Sequence, residues 1–328
     1  MTRLSLGLAI GLMFPTASLA EGPVLFYDGG EKMDGSFNES AWNGAELFAT
    51  TEGGTYAEVV LPEGADRAEL MRQYAADGYD PIVAIGFLYG DAVGAVAPEF
   101  PDTDFAIVDM VVDQPNVRSV VFREHEGSFL MGLAAALATE SDTVGFVGGM
   151  DIPLIHRFAC GFTGGVKSIN PTATVLVEMT GDTPAAFNDP ERGEEIAEAQ
   201  IAAGADVIYH ASGGTGVGVL DAAADAGILG IGVDMNQNGM EPGSVLTSML
   251  KQVDYAVYFA LKDHADGNYS YGVQSLGLED RGIGYAVDEH NQFLLDRMMI
   301  AEVEQASYEI ISGGLSVHDF MSDGSCPY

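Results

Sequence analysis

The chain has 328 residues, with 49 Asp and Glu against 13 Lys and Arg and a formal net charge of −36 at pH 7. So acidic a surface repels nucleic acid and anionic membranes, and four lysines leave little to hold a phosphate ester. With 47% hydrophobic residues the chain can bury a sizeable core, and its length suits two domains better than one.

The N-terminus reads as a secretory signal peptide: Arg3, an apolar run over 4–14, then Ser18-Leu19-Ala20. Residues 1–20 are then removed, the mature chain starts at Glu21, and its charge is 12 − 49 = −37. No cysteine sits at the cleavage point, so no lipid anchor is expected there. No later run reaches the roughly 18 apolar residues of a membrane span. An exported, periplasmic protein is expected.

Beyond the leader, strand-like runs fall at 24–27, 57–61, 81–87, 105–109, 117–122, 144–147, 174–178, 207–210 and 230–233. Helical runs fall at 39–48, 66–77, 126–138, 151–168, 191–203, 220–226, 253–264 and 291–311. This alternation predicts an α/β protein with parallel sheets flanked by helices. Two β–α–β halves meet near Arg123, and the tail 312–328 shows no period.

The segment 143–171, TVGFVGGMDIPLIHRFACGFTGGVKSINP, is the most informative. A strand runs into Gly148-Gly149, and a helix follows with Asp151 as N-cap and Pro153 in its first turn. Leu154, Phe158, Phe162 and Val166 recur at helical spacing. Turns at the carboxyl ends of such strands are where doubly wound sheets bind ligands.

Five other blocks carry chemistry. Asp28-Gly29-Gly30 follows the first strand, and in 34–42 Ser36-x-x-Glu39 reads as a capping box. Phe37 there suits either helix-start packing or a ligand wall; Trp42 reads as core. Asp109 ends an apolar strand, as a turn former or a ligand contact, and Asp234 ends another. Tyr209-His210-Ala211-Ser212-Gly213-Gly214-Thr215-Gly216 places glycines after a strand, where a backbone can approach a ligand closely. The order of those glycines is wrong for a dinucleotide fingerprint. Lys251 opens a helix, where a cation gains nothing from the dipole, which favours a functional role over an ordinary surface position. Phe187-Asn188-Asp189-Pro190 is a helix entry. Cys160 and Cys326 are, in an oxidising compartment, either one disulfide or two separate thiols, with no metal-ligand spacing.

These blocks, in their order along the chain, resemble the basic membrane protein family, the nucleoside-binding components of ABC importers, from Val24 to about Ala286. Residues 34–42 are similar to the family's DKSFN-SAW signature, 211–216 to its AGGTG loop and 187–193 to its FNDP-KG turn. The chain departs from the family in its acidity and in a longer stretch at 183–186.

The resemblance implies a type I periplasmic binding protein fold of two doubly wound parallel-sheet lobes, with ligand in the cleft between them. One lobe is then 21–123 plus 251–281, and the other 124–250 plus 282–328. It implies that Phe37 stacks on a nucleobase, with Asp28 and Asn38 beside it. Asp109 takes the base edge, Asp234 the ribose diol and Lys251 the sugar. Phe187 faces the cleft, Gly213 and Gly214 approach the ligand, and Tyr209 or His210 forms a second wall. A carboxylate only accepts hydrogen bonds, so at the base edge it favours guanosine or inosine, which offer N1–H, over adenosine. The implied partners are a purine nucleoside and an ABC permease, with a monomer expected. No cofactor, metal or catalysis is expected, since no activated nucleophile, H-E-x-x-H or P-loop is present.

Overall fold

A computed structural model describes residues 21–27, 30–62 and 64–328. The signal-peptide reading over 1–20 and the Asp28 reading lie outside the described residues.

The first half alternates β1 (Gly22–Tyr27), α1 (Phe37–Glu52), β2 (Ala57–Val60), α2 (Arg67–Asp77), β3 (Tyr79–Ile85), α3 (Gly90–Val96), β4 (Phe105–Val108) and β5 (Val117–Phe122). The second continues with α4 (Glu124–Ala138), β6 (Thr143–Met150), α5 (Pro153–Ile169), β7 (Thr174–Gly181), α6 (Pro190–Ala202), β8 (Val207–Ala211), α7 (Gly216–Asp225), β9 (Leu229–Asp234) and β10 (Val245–Lys251). Then come α8 (Val253–Ala265), β11 (Gly272–Leu276), β12 (Ile283–Tyr285) and α9 (Arg297–Ile311).

The strands form two six-stranded sheets, in the orders β11-β5-β4-β3-β1-β2 and β12-β10-β9-β8-β6-β7. Every pairing is parallel except the short β12 against β10. The chain passes from the first sheet to the second after β5, returns after β10, and leaves again after β11. Helices cover both faces, so central strands such as β3 and β4 are apolar runs rather than alternating ones. Phe26, Ile82 and Phe105 are fully buried, each contributing roughly 1.5–3 kcal/mol by leaving water. The result is the α/β, doubly wound, two-lobed architecture expected above.

Several local expectations are corrected. β6 runs through Gly148-Gly149 to Met150, and α5 opens after Ile152 with no side-chain cap. Asp151 is not the cap, because its carboxylate is taken by His156 Nε2 at 2.6 Å. Lys251 does not open a helix but ends β10. The last helix begins at Arg297, not 291, capped by the Asp296 carboxylate. Asn291 instead buries its amide against the carbonyls of Leu246 and Ala286. Strands β10, β11 and β12 lie outside the strand-like runs of the sequence. Cys160 on α5 and Cys326 in the tail are joined by a disulfide, with Cα atoms 5.6 Å apart.

Candidate functional site

The carboxyl ends of both sheets face a shared cleft. Gly30, Phe87 and Asp109 follow β1, β3 and β4 into it from the first lobe. Ala211, Asp234 and Lys251, at the ends of β8, β9 and β10, enter it from the second sheet. The space between them measures about 800 Å³ including its open mouth, within the usual range of small-molecule pockets.

The loop from β1 into α1 is built on Asp34. Its carboxylate accepts from the backbone N–H of Ser36, Asn38 and Glu39 at 2.9, 3.0 and 3.1 Å. The expected capping box is therefore corrected. Ser36 occupies the N-cap position without capping, because its hydroxyl donates to Asp234 Oδ2 on the other lobe. Glu39 accepts from Gly35 N instead. A second tie crosses the cleft where Gln237 Nε2 donates to the Gly35 carbonyl at 2.9 Å.

Asp109 and Asp234 both adopt left-handed backbone, at φ 66° and 67°. Asp tolerates this region better than most residues, and strain of this kind gathers at functional sites. Lys251 lies between the lobes. Its ammonium is 2.6 Å from Asp109 Oδ2 and 3.1 Å from Glu124 Oε1. The rings of Phe37, Phe122 and Phe158 stand 5.3, 5.1 and 5.6 Å away. Burial pushes the Asp109 carboxyl up to about 6 against the pull of Lys251, with Glu124 adding to the rise. Burial likewise raises Asp234 to about 6, opposed by Lys251 and the Ser36 hydroxyl. For Lys251 burial works against the ammonium, but Asp109, Glu124 and Asp234 outweigh it and hold the pKa above the ordinary lysine value. Two residues that line the cavity, Asp109 and Asn38, each keep a buried acceptor, Oδ1, with no hydrogen-bond partner.

Of the residues singled out in the sequence, Phe37, Asn38, Asp109, Phe187, Gly213, Asp234 and Lys251 come together around this cavity. Three do not. Tyr209 is fully buried, its ring against Phe146 and Phe162 and its hydroxyl 3.3 Å from Ser128 Oγ. His210 is fully buried beside Gln237, with Nε2 2.9 Å from Oε1. Neither is a second wall, because β8 is covered on both faces and only its last residue, Ala211, reaches the cavity. Gly214 stands one residue past the lining, against Asp34 and the Phe187 carbonyl. The walls that sequence reasoning missed are Phe87 and Phe158. Phe158 belonged to the apolar stripe of α5, and nothing in that spacing separates a core face from a cleft face. Phe87 meets Phe187 edge-on across the cleft, centroids 6.3 Å apart.

Gly149 makes room for Phe187. A Cβ at that position would lie 2.2 Å from the Phe187 ring. At the opposite ends of the first sheet's strands, ligating atoms of Asp80, Asp104 and His264 lie within 4.8 Å of one another. They are engaged among themselves, with His264 Nδ1 2.8 Å from Asp104 Oδ2.

Residues 23–319 match the family described as ABC transporter substrate-binding protein PnrA-like, and the chain belongs to that family. It is 34% identical to the CD4+ T-cell-stimulating antigen of Listeria monocytogenes, over 88% of this chain and 86% of the relative. It is 32% identical to the ABC transporter nucleoside-binding protein BmpA of Lactococcus lactis, over 87% and 85%. Among solved structures, an ABC transporter solute-binding protein from Aeropyrum pernix superposes with a TM-score of 0.82 at 29% identity, covering 90% of this chain and 92% of that one.

Proposed function

We propose that this PnrA-like substrate-binding protein captures a purine nucleoside, guanosine or inosine ahead of adenosine, and delivers it to an ABC permease on the outer side of a membrane. The observation that carries this reading is that Asp109, which lines a cavity walled by phenylalanines, keeps a carboxylate oxygen, Oδ1, with no hydrogen-bond partner. Such an atom calls for a hydrogen-bond donor, and the rings call for a flat apolar face. Four carboxylates, Glu31, Asp34, Asp109 and Asp234, line the cavity against the single cation of Lys251. That balance suits a neutral ligand rich in donors and opposes a phosphate ester.

In this reading Phe37 and Phe187 flank the base and Asp109 accepts from its N1–H. Asp234 takes the ribose hydroxyls with Lys251 beside them. No bond of the ligand is made or broken. Binding shifts an equilibrium between open and closed lobes, and the Ser36–Asp234 and Gln237–Gly35 ties belong to the closed form. The relative named as nucleoside-binding supports the ligand class. The chain acts as a monomer outside the membrane, and no described helix is long and apolar enough to cross one.

Native mass spectrometry tests this. The protein, stripped by unfolding and refolding, is offered an equimolar mixture of guanosine, inosine, adenosine, cytidine and ribose. One purine nucleoside adduct per chain is expected. Ribose alone would make it a sugar binder, no adduct on folded protein would overturn the reading, and released free base would show an enzyme.

A further inference from the structure

The Lys251 ammonium belongs to a longer array of charges. Glu124, whose Oε1 it faces, is fully buried and opens α4 directly after the first passage between lobes. The other oxygen of Glu124 accepts from Arg157 Nη1 at 2.9 Å. Arg157, on α5, holds both carboxylate oxygens of Asp319 through Nε and Nη2, each at 2.8 Å. Asp319 lies in the C-terminal tail. That tail is fastened to α5 by the Cys160–Cys326 disulfide and by Phe320 stacked on His156 at 5.2 Å. Signs alternate without a break from the tail to the cleft: Asp319, Arg157, Glu124, Lys251, Asp109.

We infer that the C-terminal tail is a working part of the ligand cleft, with Asp319, Arg157 and Glu124 as positioning residues that hold the Lys251 ammonium on one side of Asp109. The geometry gives the reason. Lys251 donates to Asp109 Oδ2 and stands 3.1 Å from Glu124 Oε1 as an ion contact without a hydrogen bond, and Asp109 Oδ1 has no partner. Without the pull of Glu124 the ammonium is free to settle across both oxygens of Asp109 and take up the one that now has no partner. Removing Asp319 leaves Arg157 with Glu124 as its one carboxylate, and drawing Glu124 toward Arg157 takes it from Lys251. A buried charge that loses one partner turns to those that remain, so a change at the tail is passed on rather than absorbed by water. The inference uses the nucleoside reading only for its affinity measurement.

The test compares wild type with Glu124→Gln, Asp319→Asn and Asp319→Glu, and with Asp323→Asn as a tail variant outside the array. Two quantities are read: guanosine affinity, and the ¹³C resonance of the Asp109 carboxyl in ligand-free protein. Glu124→Gln and Asp319→Asn are expected to weaken guanosine binding at least tenfold and to shift the Asp109 resonance. Asp319→Glu should restore most of both, and Asp323→Asn should change neither. Wild-type affinity together with an unmoved Asp109 resonance in folded Asp319→Asn would overturn the inference. If Asp319→Asn does not fold, Glu124→Gln takes its place, and wild-type affinity with an unmoved Asp109 resonance there overturns the inference too. If wild type binds no guanosine, the nucleoside reading fails and the Asp109 resonance alone decides.

Discussion

Asp109 and Asp234 are counterparts: each stands at the end of a parallel strand in a different sheet, each has left-handed backbone at φ 66° or 67°, and the charge of Lys251 acts on both, across the cleft on Asp109 and from the neighbouring strand on Asp234. The two lobes thus present the same device, a carboxylate held on a strained turn at a strand end, to one cavity. Charge-assisted hydrogen bonds contribute about 1.5–3 kcal/mol each. Asp234→Asn, measured by calorimetry, is therefore expected to weaken guanosine binding roughly ten- to a hundredfold. Its thermal midpoint without ligand should hold or rise near neutral pH, since the change removes a buried charge and keeps a group for the Ser36 hydroxyl. A fall in stability with affinity intact would reverse these roles.

The pH dependence has a definite sign. Burial raises both Asp109 and Asp234 to about 6, above the ordinary aspartate value of 3.8. A raised folded-state pKa stabilises the fold below the unfolded value, and that contribution is lost as pH rises through about 6. Ligand-free wild type should therefore lose thermal stability relative to Asp234→Asn between about pH 4 and pH 6.5, and level off above that. Ligand binding runs the opposite way, because ionised carboxylates accept the donors. Affinity should hold above about pH 6 and fall below it by up to about tenfold per pH unit for each carboxylate. Calorimetric titrations across that window check both directions, and affinity rising toward acid would exclude ionised acceptors.

Phe37 and Phe158 both line the cavity, but their substitutions should separate. Phe37 is half-buried at the start of α1, and stacking on a base contributes about 1–3 kcal/mol. Phe37→Ala is expected to cost that affinity with little change in thermal midpoint. Phe158 is 3% exposed and part of the core, so Phe158→Ala should destabilise the fold by about 3–5 kcal/mol. Denaturant unfolding beside ligand titration distinguishes the two.

Gly149→Ala should act through Phe187. The added methyl would sit 2.2 Å from the ring, so the ring must move in the cleft. A loss of affinity of about tenfold is expected from the displaced wall. In a double-mutant cycle the same change should add almost nothing once Phe187 is alanine. Additive losses would show that Gly149 acts elsewhere.

What the sequence made legible was what depends on neighbours along the chain. Alternating strand and helix periods were enough for the α/β architecture, and the motifs around Phe37, Asp109, Asp234 and Lys251 led to residues that share one cavity. What escaped it depends on contacts distant in sequence. Ser36 has the chemistry of a helix cap, and only the approach of Asp234 from the other lobe explains why Asp34 does the capping. Tyr209 and His210 sit beside the right loop, but which residue of a fully buried strand reaches the cleft is set by sheet packing. The short strands β11 and β12 carry no strong period, since β11 is largely exposed and β12 has three residues.

The most direct measurement is a pair of calorimetric titrations of the ligand-stripped protein, guanosine beside adenosine, near neutral pH. If Asp109 reads the base edge as an ionised acceptor, guanosine binds with one site per chain and at least tenfold more tightly than adenosine, whose N1 offers no proton. Equal affinity would mean that Asp109 does not read N1, and silence from both in a folded protein would contradict the nucleoside assignment itself.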